Sequence, residues 1–237
     1  MKCYYDFHIH SCLSPCADDD MTPENIVGMA YLAGLDAIAV CDHNTCENCA
    51  AAISAGQKRG ICVLPGMELM TSEEIHVLFL FSKLDGALEF SDYVYSKLPK
   101  LENKPDIFGN QLVYGDGDVL LRSEPRLLSA ATEIGIYETA RLAKFYNGVA
   151  VPAHINRGAF SILSNLGMYD TDMGFKSIEI SRGTSVEKLI CEHPELDGLR
   201  FIQNSDAHSL NNVPDAELYL NLNSCTPSEI TALLSVE

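Results

Sequence analysis

Residues 4–10 read Tyr-Tyr-Asp-Phe-His-Ile-His. Aromatic and β-branched side chains mark a strand, and residues two apart in a strand project to the same side. His8 and His10 therefore leave the end of this strand as a pair able to grip one ion from one face. Six further apolar runs follow at residues 37–41, 61–65, 75–81, 148–153, 177–180 and 199–202, and most are separated by helical patterns. Thr22-Pro23-Glu24 starts one helix, which runs to Gly34; Asn44 or Thr45 starts a second, ending near Gly60. Glu124-Pro125 precedes a third, ending near Gly148, and Thr184 and Thr226-Pro227 open two more. Strands alternating with helices imply parallel β/α units, and about seven of them point to an α/β fold, a distorted seven-stranded TIM-like barrel in preference to a doubly wound sheet. The turn-rich residues 100–124 read as a surface insertion in a single domain spanning 1–237.

The chain has 237 residues, 47% of them hydrophobic, enough for one large core. No basic region followed by an apolar run opens it, and no stretch is long enough to span a bilayer, so a soluble, cytoplasmic protein without membrane contact is expected. Nine cysteines in such a chain read as reduced thiols or metal ligands, not as a disulfide framework. With 33 acidic against 16 basic side chains the formal net charge is −17, which repels polyanions and disfavours long nucleic acid as a partner.

The histidine pair of the first strand has counterparts at other strand ends. Asp42-His43 closes the second, Glu68 follows the third, His154 closes the fifth, and Asp206-Ala207-His208 follows the last. His76 opens the fourth strand, the one departure from the pattern. In β/α barrels the C-terminal strand ends face one pocket, so these side chains converge there, whereas His193, at a helix end, reads as structural. Imidazole and carboxylate ligands suit zinc, manganese or iron, and bridging carboxylates favour more than one ion. Such ions can clamp the attacking and leaving oxygens of a phosphoryl group.

In this order His8-x-His10, Asp42-His43-Asn44, Gly66-Met67-Glu68, His76, Pro152-Ala153-His154 and Ser205-Asp206-Ala207-His208 resemble the PHP family, named for polymerase and histidinol phosphatase. The resemblance covers nearly the whole chain. It implies a distorted seven-stranded barrel and three divalent metals: His8, His10, Glu68 and Asp206 on the first, Glu68, His76 and His154 on the second, His43 and His208 on the third. The family's remaining third-site Asp corresponds by spacing to Asp18, with Asp19 and Asp20 as alternatives, because Pro15 takes one of the two defining positions. Asn44 stands where the family usually has Asp. Glu68, Asp206 and His208 are the expected catalytic group, and Arg157 and Arg182 at the rim the expected phosphate binders.

The function expected is a metal-dependent phosphoesterase that hydrolyses a small phosphorylated metabolite or nucleotide by attack of metal-bound hydroxide. A non-catalytic or regulatory metal-binding module is the alternative, and an exonuclease a third reading. Cys12, Cys16, Cys46 and Cys49 lie after the first two strands and could hold a further metal or an iron–sulfur cluster.

Overall fold

The structure is a computed structural model that describes residues 1–236. Its strands are β1 (Lys2–Ile9), β2 (Ala37–Val40), β3 (Cys62–Met70), β4 (His76–Phe81), β5 (Leu112–Gly115), β6 (Val119–Ser123), β7 (Gly148–Pro152), β8 (Ser177–Ser181), β9 (Arg200–Asn204) and β10 (Tyr219–Asn221). The helices are α1 (Pro23–Leu32), α2 (Cys49–Arg59), α3 (Leu84–Lys97), α4 (Pro105–Phe108), α5 (Ile136–Phe145), α6 (Ile162–Leu166), α7 (Val186–Glu192) and α8 (Pro227–Leu234). Among the described residues no helix is long and apolar enough to cross a membrane.

Six strands form one curled sheet in the order β10-β1-β2-β3-β4-β7, a half-barrel, while β8 and β9 pair in parallel beside it. The uniformly parallel seven-stranded arrangement expected from the sequence gives way here to a mixed sheet. β1, β2 and β3 are parallel, but β4 runs antiparallel to both β3 and β7. The cause is the short connection between β3 and β4: Thr71 to Ile75 is too brief for a crossover helix, so the chain folds back, with Met70 paired to His76. This reversal puts the first residue of β4 beside the last residues of β3 and β7. His76 thus reaches the same end of the sheet as the other histidines.

Apolar side chains fill both faces, as expected where helices cover a sheet. Phe7, Leu64, Leu78, Leu80 and Val151 point inward, and α8 packs Ile230 and Leu234 beneath them. Phe79 and Phe81 point outward against Phe90 of α3, a helix not foreseen in the sequence.

Local chemistry explains most element boundaries. Thr22 caps α1, with Pro23 at its first turn, and Gly60 ends α2 at φ 74°. α2 starts at Cys49, later than Asn44 or Thr45, because Asn44 adopts φ 54° and its side chain serves three backbone groups, Met70 N, Leu128 O and Ala130 O. The helix expected straight after Pro125 begins only at Ile136. Gln111 takes Leu128 N and the carbonyls of Glu124 and Arg126, so side chains hold the backbone groups that a helix would need.

Residues 100–124 contain α4 and the β5–β6 hairpin, and Asn48, just before α2, ties the hairpin to the half-barrel through Leu112 O and Tyr114 N. The cysteines depart from a fully reduced set: Cys3 and Cys225 form a disulfide between β1 and the segment before α8, and seven others are free.

β2 and β3 approach closely at Gly66, where a Cβ would lie 2.5 Å from Cys41 Sγ and 2.9 Å from Val40 O. Gly66→Ala is therefore expected to lower stability by about 1–3 kcal/mol in urea denaturation, since the neighbour that must yield includes backbone.

Candidate metal centre

The sheet end carrying His8, His10 and His76 gathers nearly all the side chains selected from the sequence. Glu68, 1% exposed, is the hub. Its Oε1 lies 3.2 Å from His8 Nε2, 3.0 Å from His76 Nδ1 and 3.3 Å from His154 Nε2. Its Oε2 lies 3.4 Å from His10 Nε2 and 3.1 Å from His43 Nδ1. Asp206 Oδ1 approaches His8 Nε2 and His10 Nε2, each at 3.1 Å, and His208 stacks on His10 with ring centroids 4.2 Å apart.

Neighbours fix the tautomers of the first pair. His8 Nδ1 faces both oxygens of buried Glu179 at 3.1 Å, so in the neutral ring the proton sits there and Nε2 carries the lone pair. His10 Nδ1 lies 2.9 Å from Ser14 Oγ, which donates to Asp42 Oδ1 at 2.7 Å. In the neutral ring His10 Nε2 therefore also carries the lone pair, and the two Nε2 atoms stand 3.2 Å apart. Two ligands about 2.0–2.1 Å from one tetrahedral ion would be separated by about 3.3 Å, so the pair fits a metal.

Three groups have ligand atoms mutually within 4.8 Å: His8, His10, Glu68 and Asp206; His43, Glu68 and His76; and His10, His43 and His208. His43 Nδ1 and Asp206 Oδ1 are buried without a hydrogen-bond partner, as atoms reserved for a cation would be.

Charge follows the same logic. Burial opposes protonation of His10, yet Asp206 and Glu68 outweigh it and push the ring up to about 9. His8 is likewise raised, against burial, by Asp206, Glu179 and Glu68. Glu68 is held well below the carboxylate range despite burial, by His76 and His8. His208 goes the other way, down to about 4, through burial and then the proximity of His10. The carboxylates thus demand positive charge that bare imidazoles supply only by binding protons.

Backbone strain is concentrated here. His154 has φ 31° and Asp206 φ 55°, and Phe160, φ 55°, stacks on His76 at 5.0 Å while its carbonyl accepts from His76 N. Arg157 Nη1 reaches Asp206 Oδ2 at 2.6 Å, and Arg182 pairs with Glu217. Both line a cleft of about 70 Å³ with His154, Ser181, Asn204 and Asp206.

Some expectations are not met. Asp18, like Asp19 and Asp20, is exposed and joins none of the three groups, because the loop turns at Ser14 and fastens Asp18 N to His208 O instead of directing its carboxylate inward. Cys16 faces the cluster in its place, Sγ 3.3 Å from His43 Nε2. The four-cysteine site is also absent: Cys12 bonds to Leu112 O, while Cys46 and Cys49 are buried in the core beneath β3. His193 pairs with Glu195, away from the cluster. Glu179 escaped the sequence reading; its position inside β8, in Ser-Ile-Glu-Ile-Ser, was the available clue, since a charged residue in a buried strand needs a partner.

A mixed α/β half-barrel with buried imidazoles and carboxylates converging at one sheet end defines a metal-dependent hydrolase. The model of the PHP domain matches residues 6–142, and the chain belongs to that family. Over 79 residues, 32% of this chain and 28% of the relative, it is 35% identical to a 5'-3' exoribonuclease of Haemophilus influenzae. Its fold is similar to that of the lesion-specific endonuclease PfuEndoQ from Pyrococcus furiosus, with TM-score 0.75 and 19% identity over 99% of this chain. It is also similar to an endonuclease Q in complex with a 27-mer duplex bearing an abasic lesion, with TM-score 0.74 and 18% identity over 99% of this chain. The chain spans 56% of each endonuclease.

Two predictions follow from the ligand supports and charges. Glu179→Gln should weaken metal retention roughly 10–100-fold in chelator competition, because the amide no longer accepts the His8 proton at both oxygens. In metal-free protein, the stability contributed by raised histidines is full below their unfolded value near 6.5 and is lost as pH climbs through the folded value of about 9 for His10. The melting temperature of chelator-treated protein should accordingly fall between pH 6.5 and 9, whereas protein loaded with divalent ions, which take neutral imidazoles, should show no such fall.

Proposed function

We propose that this chain is a phosphoesterase that uses three divalent ions, zinc, manganese or iron, to hydrolyse a compact phosphate ester such as a nucleotide or small phosphorylated metabolite. The observation that carries the reading is Glu68, whose two oxygens address different histidines as a bridging carboxylate would. His8, His10, Glu68 and Asp206 would hold one ion, Glu68, His76 and His154 with His43 beside them a second, and His43 and His208 with His10 a third. When bound, such ions polarise phosphoryl oxygens and bring the pKa of water to about 7.

The chain's own groups orient the ester. Arg157 offers a guanidinium at the cleft mouth, already steered by Asp206 Oδ2, and a fork of N–H donors suits two phosphate oxygens. Arg182 lines the same cleft, whose volume of about 70 Å³ suits one small oxyanion. Asp206, held below the usual carboxylate range by His8 and His10 against burial, keeps its charge and anchors Arg157 at Oδ2. His208 donates from Nδ1 to Asp206 O, which leaves Nε2 as the nitrogen available beside His10 and His43. With β7 beside β8 and β9 beside β1, we read the seven strands β1, β2, β3, β4, β7, β8 and β9 as one distorted barrel in a single domain, with the segment around 100–124 inserted. Seven free cysteines favour a cytoplasmic location, and the Cys3–Cys225 disulfide weighs against it.

A nuclease is the second reading. The similarity to an endonuclease in complex with a 27-mer duplex and to an exoribonuclease weighs against the expectation that long nucleic acid is disfavoured. Net charge describes the whole surface, whereas cations at the site reverse the field locally.

The test is phosphate release from mononucleotides and sugar phosphates, run beside cleavage of single-stranded and duplex oligonucleotides at matched metal and salt. Release from the small esters, abolished in Glu68→Ala and nearly unchanged in His193→Ala, is the expected result. Cleavage confined to oligonucleotides would replace the small-substrate reading with the nuclease, and no turnover of any ester with ions bound would leave a non-catalytic module.

A further inference from the structure

The loop from β7 to α6 borders the metal centre from His154 to Phe160. His154 and Arg157 line the small cleft, and Phe160 follows beyond it, with its ring on His76. Hydrogen bonds hold the loop in shape: Arg157 N donates to His154 O, Ser161 Oγ to Arg157 O, and His76 N to Phe160 O. One face of the Phe160 ring lies on His76, the two planes 8° apart. Among the described residues it stacks on no other ring, and Phe160 is 43% exposed. A bulky side chain at φ 55° is strained, and here the strain holds an aromatic ring at the surface, where core packing does not repay it. The loop's surroundings are open at Gly158, where a Cβ would meet nothing within 4 Å.

We propose that Phe160 is a stacking platform for the base of a nucleotide whose phosphate lies at Arg157 and the metal centre. The inference rests on the phosphoesterase reading above and narrows its substrate class to esters that carry a base. His76 occupies the inner face of the ring, so the base adds to the outer one. Arg157 and Phe160 are three residues apart, a span of at most about 10 Å, within the reach of one nucleotide. The hydrogen-bonded loop fixes the ring before the ligand arrives, which reduces the ordering cost of binding. Every nucleobase offers a π-face and a sugar phosphate offers none. Stacking does not read hydrogen-bonding edges, so the platform distinguishes base from no base, not one base from another.

The test compares binding of two non-hydrolysable phosphonates, the analogues of AMP and of ribose 5-phosphate, to the full chain loaded with Mn²⁺, by titration calorimetry. The wild type should bind the AMP analogue about 10-fold or more tighter. Phe160→Leu should bring the two affinities within about 2-fold, whereas Phe160→Tyr and Phe160→Trp should keep the preference. The ratio isolates the base, because any damage to the ions through His76 weakens both ligands alike. A second measurement does not depend on the leucine variant folding: with ¹³C-labelled phenylalanine, nuclear Overhauser effects should link a ring to the base protons in the wild type and vanish in Phe160→Tyr. Equal affinity of the wild type for both analogues, binding of neither, or an equal loss of both in Phe160→Leu overturns the platform; the last leaves Phe160 a positioning residue for His76. Turnover of phosphate esters alongside equal affinities would overturn this inference alone. A base preference lost in Phe160→Leu, without turnover of any ester, would uphold the platform and overturn the hydrolytic reading.

Discussion

Glu68 is 1% exposed, with five imidazole nitrogens from β1, β4 and the ends of β2 and β7 within 3.4 Å. An ionised carboxylate taken out of water costs several kcal/mol unless charge and hydrogen bonds answer it. That requirement organises the sheet end. It explains why His8 and His10 are held as Nδ1–H tautomers by Glu179 and by the Ser14–Asp42 chain. It also explains why residues in unfavourable backbone conformations, His154 and Asp206, are tolerated beside it. Strain of about 1–3 kcal/mol at such positions persists only where surrounding contacts over-determine it, and here those contacts are ones that a divalent ion would strengthen.

Much of this was legible in the sequence, because the residues involved obey short-range rules. The period of two carries His8 and His10 to one face, and Thr22-Pro23 and Gly60 mark helix ends by local stereochemistry. What the sequence hid depends on contacts between distant segments. His76 looked misplaced until β4 proved antiparallel, which turns the start of one strand into the neighbour of its partners' ends. Asp18 answered a spacing rule, but loop geometry is decided by Asp42, His208 and Gly109, and these bring Cys16 to His43. The delayed start of α5 has the same origin, since Gln111 and Asn44 capture backbone groups across 17 and 86 residues of sequence.

The acidity of the chain reads differently once side chains are located. Its net charge of −17 includes Glu68, Glu179 and Asp42, which are buried and contribute little to the outer field, while Arg157 and Arg182 face one small cleft. A summed charge cannot resolve that separation.

β1 completes its pairing with partners from the far end of the chain. Lys2 to Tyr4 lie against Tyr219 to Asn221, Phe7 N donates to Asn204, and His10 N donates to Ala207 O. The backbone of residues 2–4 is therefore satisfied only once residues 219–221 have been made, and ordering contacts of such separation is slow. Until residues 204–208 have emerged, His8 and His10 lack Asp206, so a nascent chain presents an incomplete ligand set. An ion held by His8, His10 and Asp206 together would therefore find its full ligand set only after residues 204–208 have docked on β1.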